Sequence, residues 1–300
     1  FNGQGQTKWP FYSYLVALPV NVVISLMLIH GLWGAPALGV VGAAYGSVAA
    51  SLARVAYLGV FFLRQTGAFR DVAGWARGSF AYSLWRHLKF SLPIAGTFVS
   101  STFGAQACML IYAKMSVNDF AALTLVMPWI NTAGTAGMMW AQASGILIAQ
   151  MLGAHRDPAD LDAFLSRVWR ASFVAAGVVS LAYLVFGLTS GTMYAGLQDE
   201  TLTALLMFLP ILLILPFPKQ SNAMCGHTLR ASGDTLRVMN IFIAGQWLFK
   251  VPLTVLFVIY LQLPVIWVFA LVLLEELFKL PMFHLRLFKG DWKRRVYFDE

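Results

Sequence analysis

Six charged side chains lie in runs apolar enough to sit in a lipid bilayer, and five of them are candidates for chemistry. Lys219 directly follows the Pro-Phe-Pro of "LPFPKQSNAM", Lys250 ends "AGQWLFK", and Glu275, Glu276 and Lys279 interrupt "LVLLEELFKL". Such groups suit proton or ion coupling, because burial favours the neutral carboxyl while a neighbouring ammonium favours the charged one, which leaves the group poised between states. The connection between the last two apolar runs centres near residue 263, so Lys250 and Glu276 stand equally far from it and at similar depth. An uncompensated charge at mid-membrane costs about 2.5 to 3.5 kcal/mol on insertion scales, so Lys250 is expected to meet Glu275 or Glu276. Adjacent helical residues point about 100° apart, which leaves the other glutamate for the cavity or for Lys219 or Lys279. Lys279 also has the i, i+4 spacing of an intrahelical pair with Glu275. The competing reading is purely structural: Lys250, Glu275 and Glu276 lock the last hairpin. Arg54, the remaining cation inside an apolar run, is expected to snorkel towards its end of the membrane.

The elements that must position these groups follow from composition. The chain is 59% hydrophobic and 11% charged, with mean hydropathy +0.71, against about 25% charged residues in an average soluble domain. A span needs about 20 mostly apolar residues. Eight segments qualify: Trp9 to Leu32, Gly39 to Leu63, Phe90 to Tyr112, Phe120 to Leu152, Ala171 to Tyr194, Leu202 to Met224, Met239 to Tyr260 and Pro264 to Phe288. Each is expected to be a helix, because open backbone is costly in hydrocarbon and the alternation of barrel strands is missing. The fold class is therefore all-α and polytopic.

Cations in the connections set the orientation. One side holds Lys8, then Arg64, Arg70, Arg77, Arg86 and Lys89, then Arg156, Arg167 and Arg170, then Arg230 and Arg237, and finally Arg286, Lys289, Lys293, Arg294 and Arg295. The opposite connections hold only Lys114. The positive-inside rule then makes both ends of the chain cytoplasmic, in a cell (inner) membrane, and accounts for most of the net charge of +8 without a nucleic-acid partner. Cys108 and Cys225 fall within or at the end of spans and predict no structural disulfide. The chain opens on Phe1 with no signal peptide and reads as the tail of a longer protein.

Other polar residues inside the spans are candidates for a substrate cavity: Ser101 and Gln106 in "SSTFGAQ", Asn131 and Gln142 in the next span, and Asn222 after the proline break. Ser100, Thr102 and the glycines from 134 to 145 read as close-packing residues. Pro210, Pro216 and Pro218 interrupt a helix beside Lys219, and a broken span at depth is the best local pointer to a transport site. Enzymatic readings find no support: H-E-x-x-H is missing, as are a phosphate-binding glycine loop and a mid-membrane histidine beside a serine. No metal site or cofactor is expected.

A weak internal repeat, "GQGQTKWPFYSYLVALPVNVV" against "RASGDTLRVMNIFIAGQWLFKVP", places a G-x-T turn before two spans, each followed by one more. That fits a six-plus-six plan. Residues 1–63 would be the last two helices of an N-terminal lobe, 64–89 a cytoplasmic linker, 90–288 a six-helix C-terminal lobe and 289–300 a cytoplasmic tail.

Several stretches carry a resemblance. "LPVNVVISLMLIHGLWGAPALGVVGAAYGSVAA", "ASGILIAQMLGAHRDPADLDAF", "NAMCGHTLRASGDTLRVMNIFIAGQWLFKVPL" and "LPVIWVFALVLLEELFKLPMFHLRLFKGDWKRR" resemble, in order, helices five to twelve of the multidrug and toxic compound extrusion (MATE) family. The resemblance implies a twelve-helix antiporter with two lobes and alternating access. It would act as a monomer in lipid, exporting amphipathic or cationic drugs and metabolites in exchange for H+ or Na+. In the family's sodium-coupled branch, helix seven carries a Glu and helix ten an Asp; the corresponding positions here hold Ser101 and Lys219. A Na+ site wants carboxylate oxygens, so the departure favours H+. A lipid-linked oligosaccharide flippase of the same superfamily, with a cationic cavity for pyrophosphate, is the alternative within transport. A membrane receptor or scaffold is the alternative outside it.

Overall fold

The computed structural model describes residues 1–66, 80–194 and 196–293, and among these every regular element is helical. Most of the expected linker (67–79) and most of the tail (294–300) lie outside the described residues. The chain forms two compact units, Phe1–Trp85 and Arg86–Glu300.

The first unit is built on a hairpin of α1 (Lys8–His30) and α2 (Val40–Thr66). Gly31 ends α1 in the left-handed region (φ 70°), its N–H reaching the Met27 carbonyl, a conformation that glycine adopts without penalty. Two glycines of α2 let the helices touch at backbone distance. A Cβ on Gly42 would lie 2.6 Å from the Leu28 carbonyl carbon, and one on Gly46 would lie 2.0 Å from Ser25 Oγ. Close small-residue contact of this kind replaces the hydrophobic driving force that helices lack in lipid. Arg54 does not merely snorkel: its guanidinium lies 3.9 Å from the centre of the Tyr14 ring, on the facing helix. Cation–π contact is a cheaper way to keep a charge there.

The second unit contains the remaining spans. Helix α3 (Phe80–Tyr112) begins upstream of the expected Phe90. Ser116 caps α4 (Val117–Gly153) by accepting from the Asp119 N–H at 3.1 Å, and Asp157 caps α5 (Pro158–Met193) by accepting from the Ala159 N–H at 2.9 Å. The next passage is broken into α6 (Asp199–Met207), α7 (Leu209–Ile214) and α8 (Pro216–Ala231), and its two halves meet at 44°. Pro216 and Pro218 have no N–H with which to carry the hydrogen-bond ladder across the bend. The following passage, Thr235–Tyr260, comprises α9 (Thr235–Ile243), a π-helical stretch Ala244–Lys250, α10 (Val251–Val255) and a second π stretch Leu256–Tyr260. Pro252 cannot donate to Leu248, and the helix is widened on both sides of it. Helix α11 (Val265–Phe288) completes eight helical passages among the described residues.

Five of these are long and apolar enough to cross a membrane, six with the bent passage. The other two are α4, diluted by Asn131, Gln142 and its threonines and glycines, and α11, which carries Glu275, Glu276 and Lys279 at its middle. The outer surface is strongly apolar: Val174, Val178, Leu181, Val185 and Leu188 of α5 are all exposed. Lipid is the solvent that accepts such a face.

The core of the second unit is split in two. One cluster includes Leu123, Val126, Ile130, Tyr183, Phe208, Leu215 and Phe269; the other includes Ala141, Ile148, Met224, Val238, Ile241 and Phe283. On each of four passages the sequence between the clusters carries small or polar residues: Gly134 and Gly137, Lys219 to Asn222, then Gly245, Gln246 and Lys250, and finally Glu275, Glu276 and Lys279.

Gly42→Leu tests the hairpin contact, where the opposing atoms are backbone and cannot swing aside. Overpacking costs about 1 to 3 kcal/mol, and the thermal melting temperature in detergent should fall accordingly, while Gly59→Leu, which has open space around it, should leave it unchanged.

Candidate functional site

The layer between the two cores brings the predicted charges together. Lys250 Nζ lies 2.9 Å from Glu275 Oε2, and Lys279 Nζ lies 3.0 Å from Glu275 Oε1 and 2.9 Å from Glu276 Oε1. Asn222 Nδ2 donates to Glu276 Oε2 and to the Glu276 carbonyl, both at 2.8 Å. All four carboxylate oxygens therefore accept from nitrogen donors. Lys279 is 2% exposed and Glu275 7%, so these are charges removed from water, which survive only when paired and hydrogen-bonded.

Local structure explains how the groups meet. Lys250 ends the π-helical stretch, whose wider turns shift its side chain relative to an α-helical register and onto α11. A Cβ on Gly245 would lie 2.9 Å from both Cγ and Cδ of Lys279, so the missing side chain is the groove in which that lysine stem lies. Asn222 sits one turn beyond Pro218, on the segment of α8 that the bend directs against α11.

Lys219 belongs to the same layer but takes none of the carboxylate oxygens. Its Nζ reaches α4 instead, 3.3 Å from where a Cβ of Gly134 would stand. It borders a cavity of about 20 Å3 that Gly137, Tyr183 and Gln220 also line. Of the expected cavity residues only Asn222 joins the network. Ser101 and Gln106 on α3, and Asn131 and Gln142 on α4, are exposed and make no contact with the charged cluster among the described contacts.

Several residues of the layer escape the sequence reading. Gln220, Gln246, Gly245 and the Ser221–His284 pair (Oγ to Nε2, 2.9 Å) all lie in or next to it. The available signal was the run Lys219 to Asn222, four polar residues in succession after an apolar stretch. His284 Nδ1 lies 2.7 Å from the Leu280 carbonyl, which can only accept, so that nitrogen carries the proton.

A multi-pass helical bundle with a proline-broken passage beside buried, paired charges has the features by which membrane transport sites are recognised. The MatE family profile matches residues 93–256, more than half of the chain, and the chain belongs to that family. The "Probable multidrug resistance protein YoeA" of Bacillus subtilis is 24% identical over 282 residues, 89% of this chain and 58% of that protein. A "Probable multidrug resistance protein NorM" of Streptococcus pneumoniae is 26% identical over 257 residues, 84% of this chain and 55% of that one. The chain thus spans just over half the length of these relatives. Among solved structures, the bent form of the Vibrio cholerae MATE transporter VcmN superposes with a TM-score of 0.76 at 16% identity, covering 99% of this chain and 65% of that chain. At that identity the likeness concerns the fold.

Removing one partner from a buried ion pair costs about 3 to 5 kcal/mol, because the other charge stays buried and unmatched. Glu275 serves two lysines and Glu276 one, so Glu275→Gln should lower the melting temperature in detergent more than Glu276→Gln. Lys250→Met combined with Glu275→Gln should recover part of the loss.

Proposed function

We propose that this chain is the greater part of a secondary active exporter that exchanges H+ for amphipathic or cationic compounds by alternating access. In this reading residues 1–63 end the N-terminal lobe, 64–89 link the lobes across the cytoplasmic side and 90–288 form the C-terminal lobe. Residues 289–300 are a cytoplasmic tail, and the protein works as a monomer in the cell membrane. The observation that carries the reading is the buried network of Lys250, Glu275, Lys279, Glu276 and Asn222. Such networks contribute little net stability compared with apolar residues of similar size. A network that exchanges protons is a better account of why five polar side chains stand between two apolar cores.

The geometry suggests how a proton would act. Every glutamate oxygen is occupied, so a proton must displace a donor. At Glu276 the donor is Asn222, and its Oδ1 is buried with no partner. Rotation of the amide would let Oδ1 accept from a protonated Glu276, so the site can satisfy both states. Protonation also removes half of the acid that holds Lys279. The affected contact joins the bent helix α8 to α11, so a proton here alters the packing of a segment that already departs from a straight helix. Na+ is less suited to this lobe, since the carboxylate oxygens it would need are taken by nitrogen donors and Lys219 adds repulsion.

In the full-length protein, Glu275→Gln with Glu276→Gln should abolish efflux of a fluorescent cationic dye driven by a pH gradient in proteoliposomes, at unchanged protein level. Full efflux by the double variant would remove both residues from coupling, and flipping of a lipid-linked sugar without an ion gradient would point to the flippase alternative. Asn222→Leu, which keeps Glu276 but removes the switching amide, should slow pH-driven efflux about tenfold or more while dye binding is retained, the order expected for a lost charge-assisted hydrogen bond.

A further inference from the structure

The polar layer holds three ammonium groups, Lys219, Lys250 and Lys279, but only two carboxylates, Glu275 and Glu276. The four carboxylate oxygens are engaged by Lys250, by Lys279 twice and by Asn222. Lys219 makes no ion pair within 4.0 Å among the described residues. The layer is thus one negative charge short. The geometry points to a small monovalent anion, chloride under ordinary conditions, bound between α4, α5 and α8 against Lys219 and Gln220.

Three features specify that occupant. The first is donor chemistry. Gln220 is 5% exposed and its Nε2 has no hydrogen-bond partner, while the Tyr183 hydroxyl donates to the Ile130 carbonyl at 3.0 Å. Two donors that line the cavity, the Lys219 ammonium and the Gln220 amide N–H, thus have no acceptor among the described contacts. A cation is repelled there, a water leaves the charge unbalanced, and an anion accepts from both while neutralising the layer. The second is size. The cavity measures about 20 Å3, room for one water-sized particle, which matches a halide better than phosphate, sulfate or a substrate carboxylate. The third is the wall. Gly134 on α4 leaves open the space that a Cβ would take, 3.3 Å from Lys219 Nζ. The rest of the lining, from Met138, Ala176, Val179 and Ala223, is apolar and strengthens the attraction. The site stands apart from proton exchange at Glu276 and would exist even if the coupling reading failed.

The test is thermal unfolding of the purified chain in detergent, in sodium chloride, sodium bromide or sodium gluconate at equal ionic strength. Chloride and bromide should raise the melting temperature by about 3 °C for each tenfold increase above the dissociation constant, and gluconate should not. Lys219→Ala should remove the halide response while remaining folded, because it deletes the unmatched charge with its site. Bromide soaked into crystals of the unsubstituted protein should give an anomalous peak in contact with Lys219 Nζ. Equal melting in all three salts, a halide response that survives Lys219→Ala, or a bromide soak with no peak at Lys219 would each overturn the site.

Discussion

Charge matching in a medium without water is the constraint on which the second unit depends. Lys250, Glu275, Lys279 and Glu276 are held by one another and by Asn222, on three separate helical passages. Their mutual bonds fix how α8, the π-helical stretch before α10, and α11 approach. The apolar residues above and below form two clusters rather than one core. Packing alone would allow these helices to slide or rotate, since lipid competes equally for apolar side chains; a bonded charge layer does not.

Irregular backbone makes the layer possible. The proline break before α8 turns Lys219 to Asn222 into the bundle, and the π turns set Lys250 against Glu275. Glycines supply the space: Gly245 for the stem of Lys279, Gly137 for Gln220, and Gly104 on α3, where a Cβ would come within 2.3 Å of Gln246. These departures from ideal helix or side-chain filling coincide with the polar groups of the layer.

The end of α11 is anchored differently. Arg286 bridges Asp234, in the turn before α9, and Asp291, while Lys293 pairs with Asp162 at the start of α5. Arg286 and Asp234 are largely buried, whereas Asp291 and Asp162 are more than half exposed. The outer members of this clamp are therefore water-screened and weak, and the buried pair carries most of the contact. It sets one end of α11 while the intramembrane layer sets its middle.

Much of this protein was legible in its sequence. Helical class and the apolar exterior follow from length and hydropathy, because a bilayer demands runs of about 20 residues with internally paired backbone, whereas of the eight expected spans only five, or six with the bent passage, qualify on those grounds among the described residues. The charged candidates were legible for the same reason: Lys219, Lys250, Glu275, Glu276 and Lys279 are conspicuous where every charge is costly. Which groups bond was not legible. Depth made Glu275 and Glu276 equivalent partners for Lys250, and only the π-helical register decides for Glu275. Periodicity gave no sign that Lys219 would turn from the acids towards Gly134, or that Ser101, Gln106, Asn131 and Gln142 would stand apart from the charged cluster, because side-chain direction depends on helix rotation and bending. Composition along the chain specified the solvent and the depth of each residue; the tertiary structure decided its neighbours, since those are set by contacts between segments far apart in sequence.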